Sequence, residues 1–169
     1  AKNITIHSIE FVTPDPEPEV KEKTIAEIIA AENGEYTTTA VVVGVNAQSF
    51  LIKDETGIML VYNGSAWQAD VEVGYVVEVI GSTTVYGKAK QFGAGSTYEK
   101  VETATVEYGE AKELTAEDAD AYAKLENIAP EYVKVKGILA VSGNYYNLTI
   151  EGATIIGSIS YPLNKEEVN

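Results

Sequence analysis

Five aromatic residues, Tyr62, Trp67, Tyr75, Tyr86 and Phe92, fall between positions 62 and 92, and Lys88 and Lys90 stand among the last of them. Rings of this kind stack on flat partners. A nucleic-acid base or the apolar face of a sugar would serve, and each stacked base contributes ~1–3 kcal/mol. Lysines beside the rings would add contacts to a phosphate backbone. The same residues therefore suit two ligand classes, an oligosaccharide or a single-stranded nucleic acid. The candidate ligand-binding residues are Tyr62, Trp67, Tyr86, Lys88, Lys90 and Phe92, with stacking by Trp67 and Tyr86 as the expected mechanism.

Charge separates the two classes. The 169 residues hold 26 acids and 12 bases, every base is Lys, and the net charge is −14. Arg is the usual tool for bidentate recognition of phosphate and guanine, and a negative field repels a polyanion. Between residues 36 and 104 four Lys face seven acids, a net of −3, while the flanking segments carry −5 and −6. Nucleic acid is thus the less favoured partner.

Other chemistry is thinner. Cys is absent, which excludes disulfides, a thiolate nucleophile and Cys-based metal sites. His7 is the only histidine, so no multi-His metal centre forms, and it lies in a short alternating segment where a surface or strand role is expected. Glu117, Asp118 and Asp120 form an acidic cluster without the Asp-rich, Gly-containing loop that binds calcium, and acids suit a helix start. Carboxylates are plentiful, but no motif singles out a pair for glycoside hydrolysis. The expectation is a non-enzymatic protein with no metal and no cofactor.

The elements that position these residues can be read in order. Lys2 to Val12 alternates as one short strand, and Thr13 to Glu19 (TPDPEPE) is an extended spacer, because Pro fixes φ and removes donors. Thr24 to Gly34 predicts a short amphipathic helix, with Thr24 and Glu27 as a capping box and Gly34 as its stop. Strands follow at Tyr36–Val45, Gln48–Asp54 and Ile58–Tyr62, then a polar loop from Asn63 to Gly74 carrying Trp67. A long strand, Tyr75–Val85, turns at Tyr86-Gly87-Lys88 into a last strand, Ala89–Thr103, interrupted at Gly93-Ala94-Gly95. Five strands after a helix suit a small closed barrel. No apolar run reaches the ~20 residues of a membrane-spanning helix.

Glu107 to Glu126 reads as an acidic linker with a helix near Thr115 to Lys124. Beyond it, an offset of 96 lays Tyr132 on Tyr36, Tyr146 on Phe50 and Leu148 on Ile52, and a short helix precedes both copies. The second copy has at most a third strand in Ala153–Tyr161 before a polar tail. The organisation expected is residues 1–23 as a strand and Pro/Glu-rich linker, 24–104 as a barrel, and 105–169 as a second, incomplete unit. Truncation, strands borrowed from elsewhere, or a three-stranded appendage would each explain the shortfall, and unpaired edges invite strand addition by another chain.

The matching residues Phe50, Ile52, Asp54, Gly57, Tyr62, Val73, Gly74, Val77, Val79 and Gly81 resemble the tandem OB-fold modules of cell-envelope and secreted lipoproteins of Bacteroides-type bacteria. Tyr75 stands where that group commonly has Asp or Lys. The resemblance runs over roughly residues 24 to 157 and implies an all-β chain, an OB-fold five-stranded barrel with a preceding short helix and a second incomplete OB-like unit. It also implies an extracytoplasmic binding module, with a lipid anchor attached ahead of Ala1. Its motifs set the barrel and carry fold more than function. The function expected is non-catalytic binding of an oligosaccharide or a protein partner. Single-stranded nucleic-acid binding and assembly by strand addition, including homo-oligomers, are the alternatives.

Overall fold

The computed structural model describes residues 20, 22–64, 70–143 and 145–166. The expected N-terminal strand, the Pro/Glu spacer, His7 and Trp67 lie outside the described residues. Helix α1 (Ile25–Ala30) begins at Thr24, whose hydroxyl accepts the N–H of Glu27 while the Glu27 carboxylate accepts the N–H of Thr24 at 2.9 Å. This is the predicted capping box. Ile25 and Ile28, three residues apart on one face, are fully buried. The helix ends sooner than expected. Ala31 is already extended, at φ −77° and ψ 170°, and Gly34 instead opens the sheet by exchanging main-chain and hydroxyl bonds with Thr83.

Five strands close the barrel. They are β1 (Glu35–Val45), β2 (Ser49–Lys53), β3 (Ile58–Tyr62), β4 (Tyr75–Tyr86) and β5 (Ala89–Phe92). β1 pairs with β2, β2 with β3, and β4 with both β5 and β1, all antiparallel, while β3 and β5 are parallel. That circuit is the OB barrel. β6 (Thr97–Thr103) continues the line of β5 along β4, from Ile80 opposite Thr97 to Tyr75 opposite Thr103. The break between β5 and β6 is the one expected at Gly93–Gly95.

Its cause is local. Ser96 donates its main-chain N–H and its hydroxyl to the Gly93 carbonyl, folding the chain inward over Gly81, where an added Cβ would lie 2.1 Å from Ser96 Oγ. Alternation then decides the interior. Ala40, Val42, Phe50, Ile52, Met59, Val61, Val77, Val79 and Phe92 meet Ile25, Ile28 and Val71 in a single core. A bulge between Val42 and Gly44 bends β1 around it.

The second unit is smaller and looser. β7 (Lys112–Leu114) and β8 (Val133–Val135) pair in parallel across α2 (Ala116–Tyr122), and β9 (Ile138–Ser142), β10 (Tyr145–Thr149) and β11 (Ile156–Ser158) form an antiparallel meander. β7 lies in the acidic stretch read as linker, and the strand expected after Glu131 divides at Lys136-Gly137. Thr115 and Asp118 form a second capping box. Among its described residues Ala119, Tyr146 and Ile150 are the buried apolar ones, whereas Ile138 is 76% and Ile156 66% exposed.

Several hydrogen bonds seat this unit on the barrel, three of them through the main chain or Tyr108. The Tyr108 hydroxyl donates to the Val43 carbonyl at 2.7 Å, with the Tyr108 ring 5.1 Å from that of Tyr132. The Ile128 N–H donates to the Lys88 carbonyl at 3.0 Å, and the Ala47 N–H donates to the Tyr161 carbonyl at 2.8 Å. The last of these matters most for the site.

Candidate functional site

Because Met59, Val61 and Phe92 point into the core, their strand neighbours Leu60, Tyr62 and Gln91 face outward. Ser49 lies opposite Tyr62 and Leu60 beside Gln91, which draws these side chains onto one patch across β2, β3 and β5. Tyr86 flanks the patch from the end of β4, and Asn46 from the β1–β2 loop. The segment at Ser160 and Tyr161, clipped by the Ala47 bond, forms the remaining wall. The result is a cleft of about 390 Å³ lined by these eight residues. This is the face on which OB barrels bind oligonucleotides and oligosaccharides.

Its chemistry is uncharged. None of the eight lining residues carries a formal charge at neutral pH, in a chain whose net charge is −14. Three are tyrosines, and Tyr86 and Tyr161 are 77% and 53% exposed. Asn46 Oδ1 accepts from the N–H groups of Gln48 and Ser49, both at 2.8 Å, and from the Ser49 hydroxyl at 2.9 Å. That fixes the loop and leaves the Asn46 NH₂ with no protein acceptor among the described residues.

Gln91 lines the cleft at 6% exposure, and its side-chain amide makes no hydrogen bond to another described residue. The amide is not sealed from solvent, since Thr37 Oγ1 is the one buried side-chain polar atom without a partner among the described residues. Its donor and acceptor are therefore open to the cleft.

The sequence-derived site residues divide. Tyr62 and Tyr86 line the cleft. Phe92 is fully buried and belongs to the core, so it offers no stacking face. Lys90 turns away from Gln91 and reaches the end of α1, where its ammonium donates to the carbonyls of Ala31 and Glu32. Burial pushes that ammonium below its ordinary pKa. Lys88 takes a left-handed φ of 71° in the β4–β5 turn and donates to the Ala123 carbonyl at 3.1 Å. Both lysines are therefore engaged on the main chain. Tyr75 is also removed, since Lys100 sits 3.5 Å from its ring centroid.

Sequence reasoning missed Gln91, Asn46 and Tyr161. The alternation that buries Phe92 implies an outward Gln91, whereas Tyr161 arrives from the far end of the chain and leaves no local signal. The acidic cluster of α2 is used internally, with Asp118 on the helix cap and Asp120 accepting from the Thr154 and Ile155 N–H groups. No group of three or more His, Cys, Asp or Glu suited to a metal ion occurs among the described residues. No helix there is long and apolar enough to cross a membrane. Neither a scan against models of protein families nor a search of curated proteins finds a match to this chain.

Proposed function

We propose that the chain is a non-catalytic binding module whose ligand is an uncharged oligosaccharide held on the β2–β3–β5 face of the barrel. The carrying observation is an uncharged cleft walled by Tyr62, Tyr86 and Tyr161, into which the Gln91 amide opens without a hydrogen bond to any described residue. Rings that stack on the apolar face of a sugar, beside amides that bond its hydroxyls, are the complement of a neutral pyranose. Among the described residues no carboxylate, histidine or lysine lines the cleft, which supports binding in preference to acid–base catalysis. The engagement of Lys88 and Lys90 on main-chain carbonyls weighs against a nucleic-acid ligand.

The tandem-module reading extends this proposal. β10 (Tyr145–Thr149) is β2 (Ser49–Lys53) displaced by 96 residues, which supports a second, partial copy and, with the resemblance, a place in the bacterial cell envelope. A protein partner or a second copy of the chain is favoured by a different observation. Ile138 and Ile156 flank Thr149 across one exposed face of the β9–β10–β11 sheet, and neither outer edge of that sheet pairs with a described strand.

Native gels cast with hydroxyethylcellulose, xylan, mannan or amylose test the sugar reading. Retardation by at least one polymer, abolished in Gln91→Ala and insensitive to added salt, is expected. Retardation by none, or binding of single-stranded DNA that salt abolishes, would overturn it.

A further inference from the structure

A second cleft, of about 470 Å³, opens beside the first. Tyr145, Tyr146, Ser158 and Pro162 contribute to it, and Ser160 and Tyr161 line both clefts. Tyr145 is 71% exposed, and its side chain, like those of Tyr86 and Tyr161, makes no hydrogen bond or ring contact with another described residue. Tyr161 holds φ at +51°, a left-handed conformation that a bulky side chain rarely adopts. The Ala47 N–H fixes its carbonyl at 2.8 Å, so the barrel itself contributes to this geometry. Strain of this kind persists where its surroundings impose it, and it clusters at ligand sites.

We infer that the two clefts form one groove continuing past Tyr161, so that the ligand is the interior of a linear glycan spanning both units of the chain. This rests on the sugar reading of the first cleft and adds a length requirement to it. Exposed rings at Tyr86, Tyr161 and Tyr145 succeed one another along such a path. Sugar units held in connected subsites raise one another's effective concentration, so affinity climbs with chain length. A site for one sugar or a chain end would saturate at a short oligomer.

Calorimetric titration with the disaccharide, tetrasaccharide and hexasaccharide of β-1,4-glucan, β-1,4-xylan, β-1,4-mannan and α-1,4-glucan tests this on the full chain. For the sugar that binds, the hexasaccharide is expected to bind at least about tenfold tighter than the disaccharide. Tyr145→Ala, an exposed position outside the first cleft, should remove most of that gain and leave disaccharide affinity unchanged. Tyr62→Ala should weaken all lengths alike. Equal affinity at every length, or a length gain that survives Tyr145→Ala, overturns the continuous groove while the first cleft stands. No heat with any oligomer overturns both readings.

Discussion

Asp54 Oδ2 accepts the main-chain N–H of Ile25 at 2.8 Å, fastening the β2–β3 turn to the first turn of α1 across 29 positions of sequence. The other carboxylate oxygen accepts from the Thr56 N–H and hydroxyl, both at 2.7 Å, and from the Gly57 N–H at 2.9 Å. The helix packs closely on this turn, since a Cβ at Gly57 would stand 3.1 Å from Ile25 Cγ2. One side chain therefore seats the helix that closes the barrel core. Asp54→Ala should cost about 2 kcal/mol, as it leaves several donors without an acceptor. Urea unfolding measures the loss.

Acid should weaken the same junction. Burial raises the Asp54 carboxyl, but the hydrogen bonds from Ile25, Thr56 and Gly57 outweigh it and hold the carboxyl below its ordinary value of 3.8. A carboxyl lowered by folding contributes stability that is complete above its unfolded pKa and is lost as pH falls through the folded one. Unfolding curves of the wild type and of Asp54→Asn should thus converge below about pH 3.8, and parallel curves at all pH would refute the role.

Gly81→Ala should destabilise the barrel by about 2–3 kcal/mol through steric conflict. The added methyl meets Ser96 Oγ at 2.1 Å and Ser96 Cβ at 2.6 Å. Ser96→Gly removes both atoms but leaves Ser96 Cα at 2.9 Å, so the double variant should recover part of the loss. A double-mutant cycle read by thermal unfolding gives the coupling, and strict additivity would show that the Ser96 side chain is not the obstacle.

Much of the barrel was legible because its determinants are local. The Thr24 and Glu27 pair, the strand alternation and the break at Gly93–Gly95 each act over a few residues. The helix end was misplaced because Ala31 leaves the helix without a positive-φ glycine, with its carbonyl taken up by distant Lys90. The site was half legible. Half-buried Tyr62 and exposed Tyr86 line the cleft, while Lys88, Lys90 and Phe92 are grouped with them only by proximity in sequence, which strand alternation splits between two faces. Tyr161 depends on a contact with Ala47 that no short pattern encodes.

Gln91→Leu separates function from stability. The volume change is small, and the substitution removes an amide that bonds to no described residue, so stability should stay within about 1 kcal/mol of the wild type. Glycan retardation should nevertheless be lost. A variant that both unfolds more easily and keeps its ligand would mean that the amide serves the fold.

Tyr98 reports on the far end of the barrel. Its ring meets Phe50 edge-on, with centroids 5.1 Å apart, and its hydroxyl donates to Asp70 Oδ1 at 2.9 Å. Burial first, then the bond to Asp70 and its charge, push the phenol up to about 12. Ultraviolet titration of the 11 tyrosines should therefore show an ionisation at about 12 that Tyr98→Phe removes, beside the raised ionisations of Tyr75 and Tyr122. Asp70→Asn should bring the Tyr98 ionisation down only in part, because burial, the largest cause, remains. A phenol raised by folding adds stability that is complete below its unfolded pKa and is lost as pH rises through the folded value. Wild type and Tyr98→Phe should accordingly differ by a constant amount up to about pH 10 and diverge from it between there and 12. A difference that stays constant through that window would show that the Tyr98 hydroxyl ionises as freely in the folded chain as in the unfolded one.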